Sequence, residues 1–148
     1  MNFSADITGW CNKTELKGGV VLRKVGLEGY VGIMFRSPVK HGRFRASHRI
    51  GINKVDGSVE PPPQPNAPVI SQIAGTPPSG KEMAYAVGQL SKVKWGDTIH
   101  ITNNLPYAKK LEGGSSAQTN HRPDGIYGAT FQELAAKIEA TIKSVTLI

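Results

Sequence analysis

At 148 residues the chain is long enough for one domain with a real core and too short to expect two. Its apolar fraction of 39% stands beside 17 glycines and 10 prolines, which points to long irregular segments and to surface buried only on assembly. A formal charge of +7 favours an acidic partner, whether nucleic acid, a membrane surface or another protein. The lone cysteine, Cys11, excludes an internal disulfide and suits a reducing cytoplasm. Asp6 and the lack of a basic stretch before an apolar run argue against a signal peptide, and no run approaches the ~18 apolar residues of a membrane span.

From Phe3 to Phe35 apolar residues recur at helical spacing, first Phe3, Ile7 and Trp10, then Val20 or Val21, Leu27, Val31 and Met34. Ser4 suits an N-cap. The glycines Gly9, Gly18, Gly19, Gly26, Gly29 and Gly32 each cost about 0.8 to 1 kcal/mol relative to alanine in a helix interior. Packing against a sheet or a neighbouring copy has to offset that cost, or the helix breaks near Gly18-Gly19 into two. Trp10 reads as a core or interface anchor.

Pro38 removes a backbone donor and pushes Ser37 out of the helical region, so this helix should stop there, and Gly42 then allows a turn. Beyond it Phe44, Ala46, His48, Ile50 and Ile52 alternate with Arg43, Arg45, Ser47 and Arg49. That period predicts a half-buried strand from Arg43 to about Asn53 with a cationic outer face. No acidic residue lies between Glu28 and Asp56, so Arg36, Lys40, Arg43, Arg45 and Arg49 form a basic cluster.

A proline-dense loop is expected at about 56–80, within which Val69-Ile-Ser-Gln-Ile73 is a candidate for a short extended piece on a sheet edge. Met83, Ala86, Val87, Leu90 and Val93 define a helix at about 82–94 that closes at Gly96, and Thr98 to Thr102 alternates as a strand. Pro106 opens a helical turn from Tyr107 to Glu112, with Tyr107 and Leu111 four apart, and Gly113-Gly114 ends it. Ile126 to Ala129 suits a short strand. Thr130 suits the cap of a helix at about 130–144 with Phe131, Leu134, Ile138 and Ile142 as its stripe. The fold class is α+β: a long N-terminal helix, a small antiparallel sheet, further helices and the proline-rich loop, in a single domain over 1–148.

The catalytic search finds little. His41, His48, His100 and His121 lie in no metal-ligand spacing, and no serine occupies a Gly-x-Ser-x-Gly elbow. No catalytic, metal or cofactor-binding residue is expected. Glu112 is the carboxylate to watch, placed to meet an arginine of the Arg43 to Arg49 strand.

Ser37-Pro-Val-Lys-His-Gly-Arg-Phe-Arg-Ala-Ser47 resembles the Pro-Val-x-x-Gly-x-hydrophobic-Arg-x-Ser signature of the phage tail-completion or neck proteins, including the minor tail protein Z family of long-tailed phages. Ile101-Thr-Asn-Asn-Leu-Pro-Tyr-Ala-Lys-Lys-Leu-Glu-Gly-Gly-Ser115 resembles the same family's Asn-x-x-Pro-Tyr-Ala-x-x-Leu-Glu-x-Gly block. The motif positions are Pro38, Gly42, Asn103, Pro106, Tyr107, Leu111, Glu112 and Gly114. The chain departs from the pattern at Lys40-His41, where the family carries an acidic residue and a threonine, and at Ser115-Ser116, where it carries an aromatic.

The resemblance implies a non-enzymatic virion protein, made in the host cytoplasm and assembled as a hexameric ring at the head-tail neck. Its implied partners are its own copies, a head-side connector or stopper protein, the tail terminator or tail tube protein, and genomic DNA contacted without sequence preference, with no membrane. Arg36, Lys40, Arg43, Arg45 and Arg49 would then line the channel or a subunit interface. A tail terminator capping the tube and a sequence-nonspecific DNA-binding module are the competing expectations.

Overall fold

The computed structural model describes residues 3–39, 42–68, 75–113 and 125–143, with the backbone alone for 3–16 and 139–143. Its elements are α1 (Phe3–Arg36), α2 (Arg43–Ala46), β1 (His48–Ile52), α3 (Gly80–Leu90), β2 (Ile99–Asn103), α4 (Ala108–Glu112) and α5 (Tyr127–Lys143). This is the expected α+β arrangement of one long helix, a small antiparallel sheet and several shorter helices.

At 34 residues, α1 is about 51 Å long and runs without interruption through Gly18-Gly19. The two-helix alternative is not realised, and Ser4 lies inside the helix rather than at its cap. The glycines explain the continuity by what lies over them. A Cβ at Gly18 would strike the Trp95 ring, one at Gly26 would come within 2.9 Å of both Leu90 and Ile99, and one at Gly32 within 2.9 Å of Thr130. The chain packs its own α3–β2 connection, β2 and α5 into the notches that the missing side chains leave. Of the two sources of compensation open to the sequence, the sheet supplies part within the chain.

α3 and α5 both run antiparallel to α1. Tyr85 and Tyr30 rings are 6.2 Å apart, while Leu90 reaches back to Gly26. Thr130 lies over Gly32, and Leu134 lies over Gly29. β1 pairs with β2 in the register His48↔Asn103, Ile50↔Ile101, Ile52↔Ile99. One core cluster joins Tyr30, Met34, Ile50, Ala86, Leu90 and Val93; a second joins Ile33, Phe44, Leu105 and Ile126, and Ile101 packs against both.

Three expectations are corrected. Arg43 to Ala46 is a helical turn capped by Gly42 at φ 79°, so the strand starts only at His48; Ala46 N–H bonds back to the Gly42 carbonyl at 2.9 Å. Ile126 to Ala129 is not a strand, because α5 already starts at Tyr127. Thr130 therefore lies inside α5, where its hydroxyl donates to the Ile126 carbonyl at 2.7 Å instead of capping. Of the expected stripes, Val87 on α3 is 52% exposed, and Phe131 and Ile138 on α5 are 56% and 39% exposed, so none of the three belongs to the core. α3 ends at Leu90 with Ser91 as its C-cap, short of the expected 94, so Gly96 does not close it. Val69–Ile73 and the side chains of Trp10, Cys11 and Ile142 lie outside the described residues.

Close packing over α1 separates two kinds of glycine. Gly26→Leu should destabilise the protein by about 1–3 kcal/mol through overpacking against Leu90 and Ile99. Gly88→Ala in α3, with nothing within 4 Å of the added methyl, should stabilise it by up to about 1 kcal/mol. Denaturant midpoints of the two variants check both signs.

Candidate functional site

The two motif segments meet around His48. Ser37, at the end of α1, donates its hydroxyl to the Ile33 carbonyl at 2.7 Å, so its oxygen can only accept from His48 Nε2, also at 2.7 Å. That fixes the tautomer: Nε2 carries the proton, and Nδ1 accepts from the Tyr127 hydroxyl at 2.7 Å. The result is one directed chain, Tyr127 to His48 to Ser37 to Ile33, with Ser37 and His48 each 1% exposed. Burial, with Arg45 adding to it, pushes the His48 imidazole down to about 3, so it is neutral. Burial and the Glu112 carboxylate hold the Tyr127 phenol well above its ordinary value. The serine–histidine contact has hydrolase distances, but its hydroxyl proton is committed to a backbone carbonyl and both groups are buried; it acts as a strut.

Asn103 ties the second motif to the first. Its amide donates to the Phe44 carbonyl at 2.8 Å, and its side-chain oxygen accepts from Leu105 N–H at 3.2 Å, turning the chain toward Pro106. Pro106 and Tyr107 form an exposed turn before α4, the Tyr107 and Phe44 rings lie 6.4 Å apart, and Leu111 packs on the second core cluster. Pro38 is buried just after α1. Lys40 and Gly114 lie outside the described residues.

Among the described residues Glu112 meets none of the arginines from Arg43 to Arg49. Its Oε2 accepts from the N–H groups of Ile126 and Tyr127, and its Oε1 from Gly128, all at 2.9 Å. A carboxylate held against the positive end of a helix is favourable, so α4 supplies a cap for α5. Gly125, at φ 75°, leaves room for that carboxylate; a Cβ there would collide with Glu112.

The arginines point inward or along the chain. Arg45, 6% exposed, grips Glu82 through two hydrogen bonds, 3.1 and 2.9 Å, and donates to the Thr76 and Pro77 carbonyls at 2.8 and 2.6 Å. Glu82 also completes a capping box with Ser79, starting α3. Arg43 donates to the Glu60 carbonyl at 2.8 Å, Arg49 to Ser58 at 2.9 Å and to the Glu60 carboxylate at 3.5 Å, and Glu60 N–H bonds to Ser47 at 3.0 Å. Arg36 bridges Thr130 and Glu133, and it and Lys137 hold the Glu133 carboxyl at about 2, Lys137 having the larger effect. The expected cationic strand face is thus a set of clamps, two of which hold the feet of the proline-rich loop.

Ser37, His48, Tyr127, Glu60 and Glu82 went unnoticed in the sequence as partners. Only Ser79-Gly-Lys-Glu82 carries a local signal, the capping-box spacing. Among the described residues no group of three or more His, Cys, Asp or Glu side chains converges as a metal site, and no helix is long and apolar enough to cross a membrane. No family model, characterised protein or solved structure matches the chain.

The neutral imidazole gives stability a pH signature. Because the folded-state value lies below the unfolded 6.5, the unfolded chain binds the extra proton between those values, and stability falls as pH drops from about 6.5 toward 3. One proton sets a slope approaching about 1.4 kcal/mol per pH unit. Unfolding free energies between pH 6.5 and 5 should show it in the native chain, and His48→Gln should flatten it.

Proposed function

We propose that this chain is a non-enzymatic structural subunit of a tailed-phage virion, a tail-completion or head-tail joining protein that closes into a ring at the neck. The observation carrying this reading is that the two motif segments, distant in sequence, form a single buried joint. Asn103 reaches the Phe44 carbonyl, β1 pairs with β2, Tyr107 lies against Phe44, and Glu112 caps α5. Residues shared with the neck-protein pattern therefore meet in one framework on which the surfaces of a subunit can be mounted. A head-to-tail interface whose rotation closes would give the ring. Its partners in this reading are further copies, a connector or stopper on the head side, and the terminator or tube on the tail side. A terminator at the end of the tube is a different position for the same kind of subunit, separated by imaging labelled protein in virions.

A dedicated DNA-binding module is disfavoured, because the arginines that suggested it, Arg36, Arg43, Arg45 and Arg49, bond to the chain's own carbonyls, hydroxyls and carboxylates. Arg45→Ala should lower stability by about 1–3 kcal/mol by removing its bonds to Glu82 and to the Thr76 and Pro77 carbonyls, while leaving any DNA affinity unchanged. A fall in salt-dependent DNA binding with unchanged stability would instead favour the binding module. The ring itself is tested by the mass of the purified protein in solution: a closed oligomer is expected, and a strictly monomeric protein missing from virions rejects the proposal.

A further inference from the structure

A second proton on the buried His48 ring has nowhere to go. Nδ1 accepts from the Tyr127 hydroxyl at 2.7 Å, and the Asn103 amide nitrogen, also a donor, stands 3.4 Å from the same atom. Nε2–H is already given to Ser37. Among the described residues the charged and titratable groups around the ring supply no counter-ion for an imidazolium. Arg45 on α2 repels it, and Glu82 on α3 is paired with Arg45. Tyr127 on α5 and, behind it, Tyr30 on α1 are phenols that burial keeps un-ionised. Glu112 on α4 holds its carboxylate against the N–H groups of Ile126, Tyr127 and Gly128. Protonation at Nδ1 therefore sets donor against donor and forces the contact with Tyr127 apart.

Which side yields depends on what else holds it. β1 is paired along its length with β2, and the Tyr85 hydroxyl of α3 accepts from Ile50 N–H at 3.0 Å. Ser37 directly continues α1. α5 is less secured, since from Phe131 to Ile138 every residue but Leu134 is exposed. Its other ties are Ile126 in the second core cluster, Thr130 and Leu134 over Gly32 and Gly29, the Glu112 cap and the Arg36–Glu133 pair. We infer that His48 is an acid-operated latch: proton uptake at Nδ1 frees α5 from the rest of the chain and uncovers the Gly29, Gly32 and Ile33 side of α1. A released helix of 17 residues is marginal in water, so α5 loses its own hydrogen bonds when it leaves. The latch lies within one subunit and does not depend on the ring.

The sign follows from the ring. It is neutral in the closed form, where burial and Arg45 push it down to about 3, and it regains the ordinary 6.5 in the open form, so opening takes up one proton. The open population changes little above pH 7 and rises about thirtyfold between pH 7.5 and 5. Glu133, held at about 2 by Lys137 and Arg36, keeps its charge throughout this range, so its pair with Arg36 does not contribute.

Amide hydrogen exchange of the full chain at pH 7.5 and 5, read by mass spectrometry and corrected for the intrinsic rate at each pH, tests the latch. α5 should be about tenfold or more less protected than α3 at either pH, and its protection should fall about thirtyfold from the higher pH to the lower. His48→Gln keeps a donor and an acceptor without a titrating ring, and leaves His41, His100 and His121 in place. In that variant the fall in α5 should shrink to about threefold or less. A wild type whose α5 and α3 are equally protected opens only as a whole and overturns the latch. So does an α5 whose protection ignores pH, or falls as far in the variant. Should the variant not fold, exchange at the His48 imidazole C2–H in the wild type takes its place. Protection matching that of the α5 amides is expected there, and protection as high as that of α3 overturns the proposal.

Discussion

A neutral, buried imidazole is the constraint on which the rest of this structure depends. His48 has two ring nitrogens and both are engaged: Nε2–H donates to the Ser37 hydroxyl oxygen, and Nδ1 accepts from the Tyr127 hydroxyl. Four segments are fixed by that one side chain, because Ser37 ends α1, His48 begins β1, Tyr127 begins α5, and Asn103 of β2 stands 3.4 Å from Nδ1. A protonated ring would have two donors, facing a hydroxyl that can accept and a phenol that would have to turn its own proton away. The cost of a charge in this place is what drives the imidazole so far down. Phe44, edge-on to His48 at 4.9 Å between centroids, closes the pocket from the side of the helical turn.

From that joint the arginines extend outward as fasteners. Arginine suits the task because its planar fork satisfies several acceptors at once, as Arg45 does with both oxygens of Glu82 and two loop carbonyls. The loop carbonyls at Thr76 and Pro77 have no sheet partner there, and the guanidinium serves in its place. A loop dense in proline cannot pair its own backbone. The basic cluster and the proline-rich segment, which read as separate features along the chain, are two halves of one device.

Much of the fold was legible because it follows from periodicity. The stripe Met83, Ala86, Leu90 announced α3, the alternation from Thr98 announced β2, and Pro38 announced the end of α1. What was not legible rests on partners far away in sequence. Arg43-Phe-Arg-Ala46 is too short for a helical period to appear, and it borrows strand-like alternation from the residues that follow. The cap on the start of α5 comes from Glu112, across a separate segment. Arg45 looked solvent-facing because Glu82 lies 37 positions on. The glycines of α1 were rightly read as a sign of close approach; which groups approach, Trp95, Leu90, Ile99 and Thr130, only the assembled chain reveals.

The division of labour between the two cationic residue types bears on how such a subunit meets DNA. Every arginine among the described residues donates to its own chain, whereas Lys54, Lys81, Lys92, Lys94, Lys109 and Lys110 are all exposed. The surface share of the +7 charge is therefore carried largely by ammonium groups. An ammonium is a strongly hydrated point charge on a flexible stem; it attracts phosphate without the bidentate geometry that would hold a strand in one register. In a ring of the kind proposed, a surface of this sort draws a polyanion near and lets it slide. An arginine-lined bore would grip it instead, and this chain has committed its described arginines to its own carbonyls, hydroxyls and carboxylates.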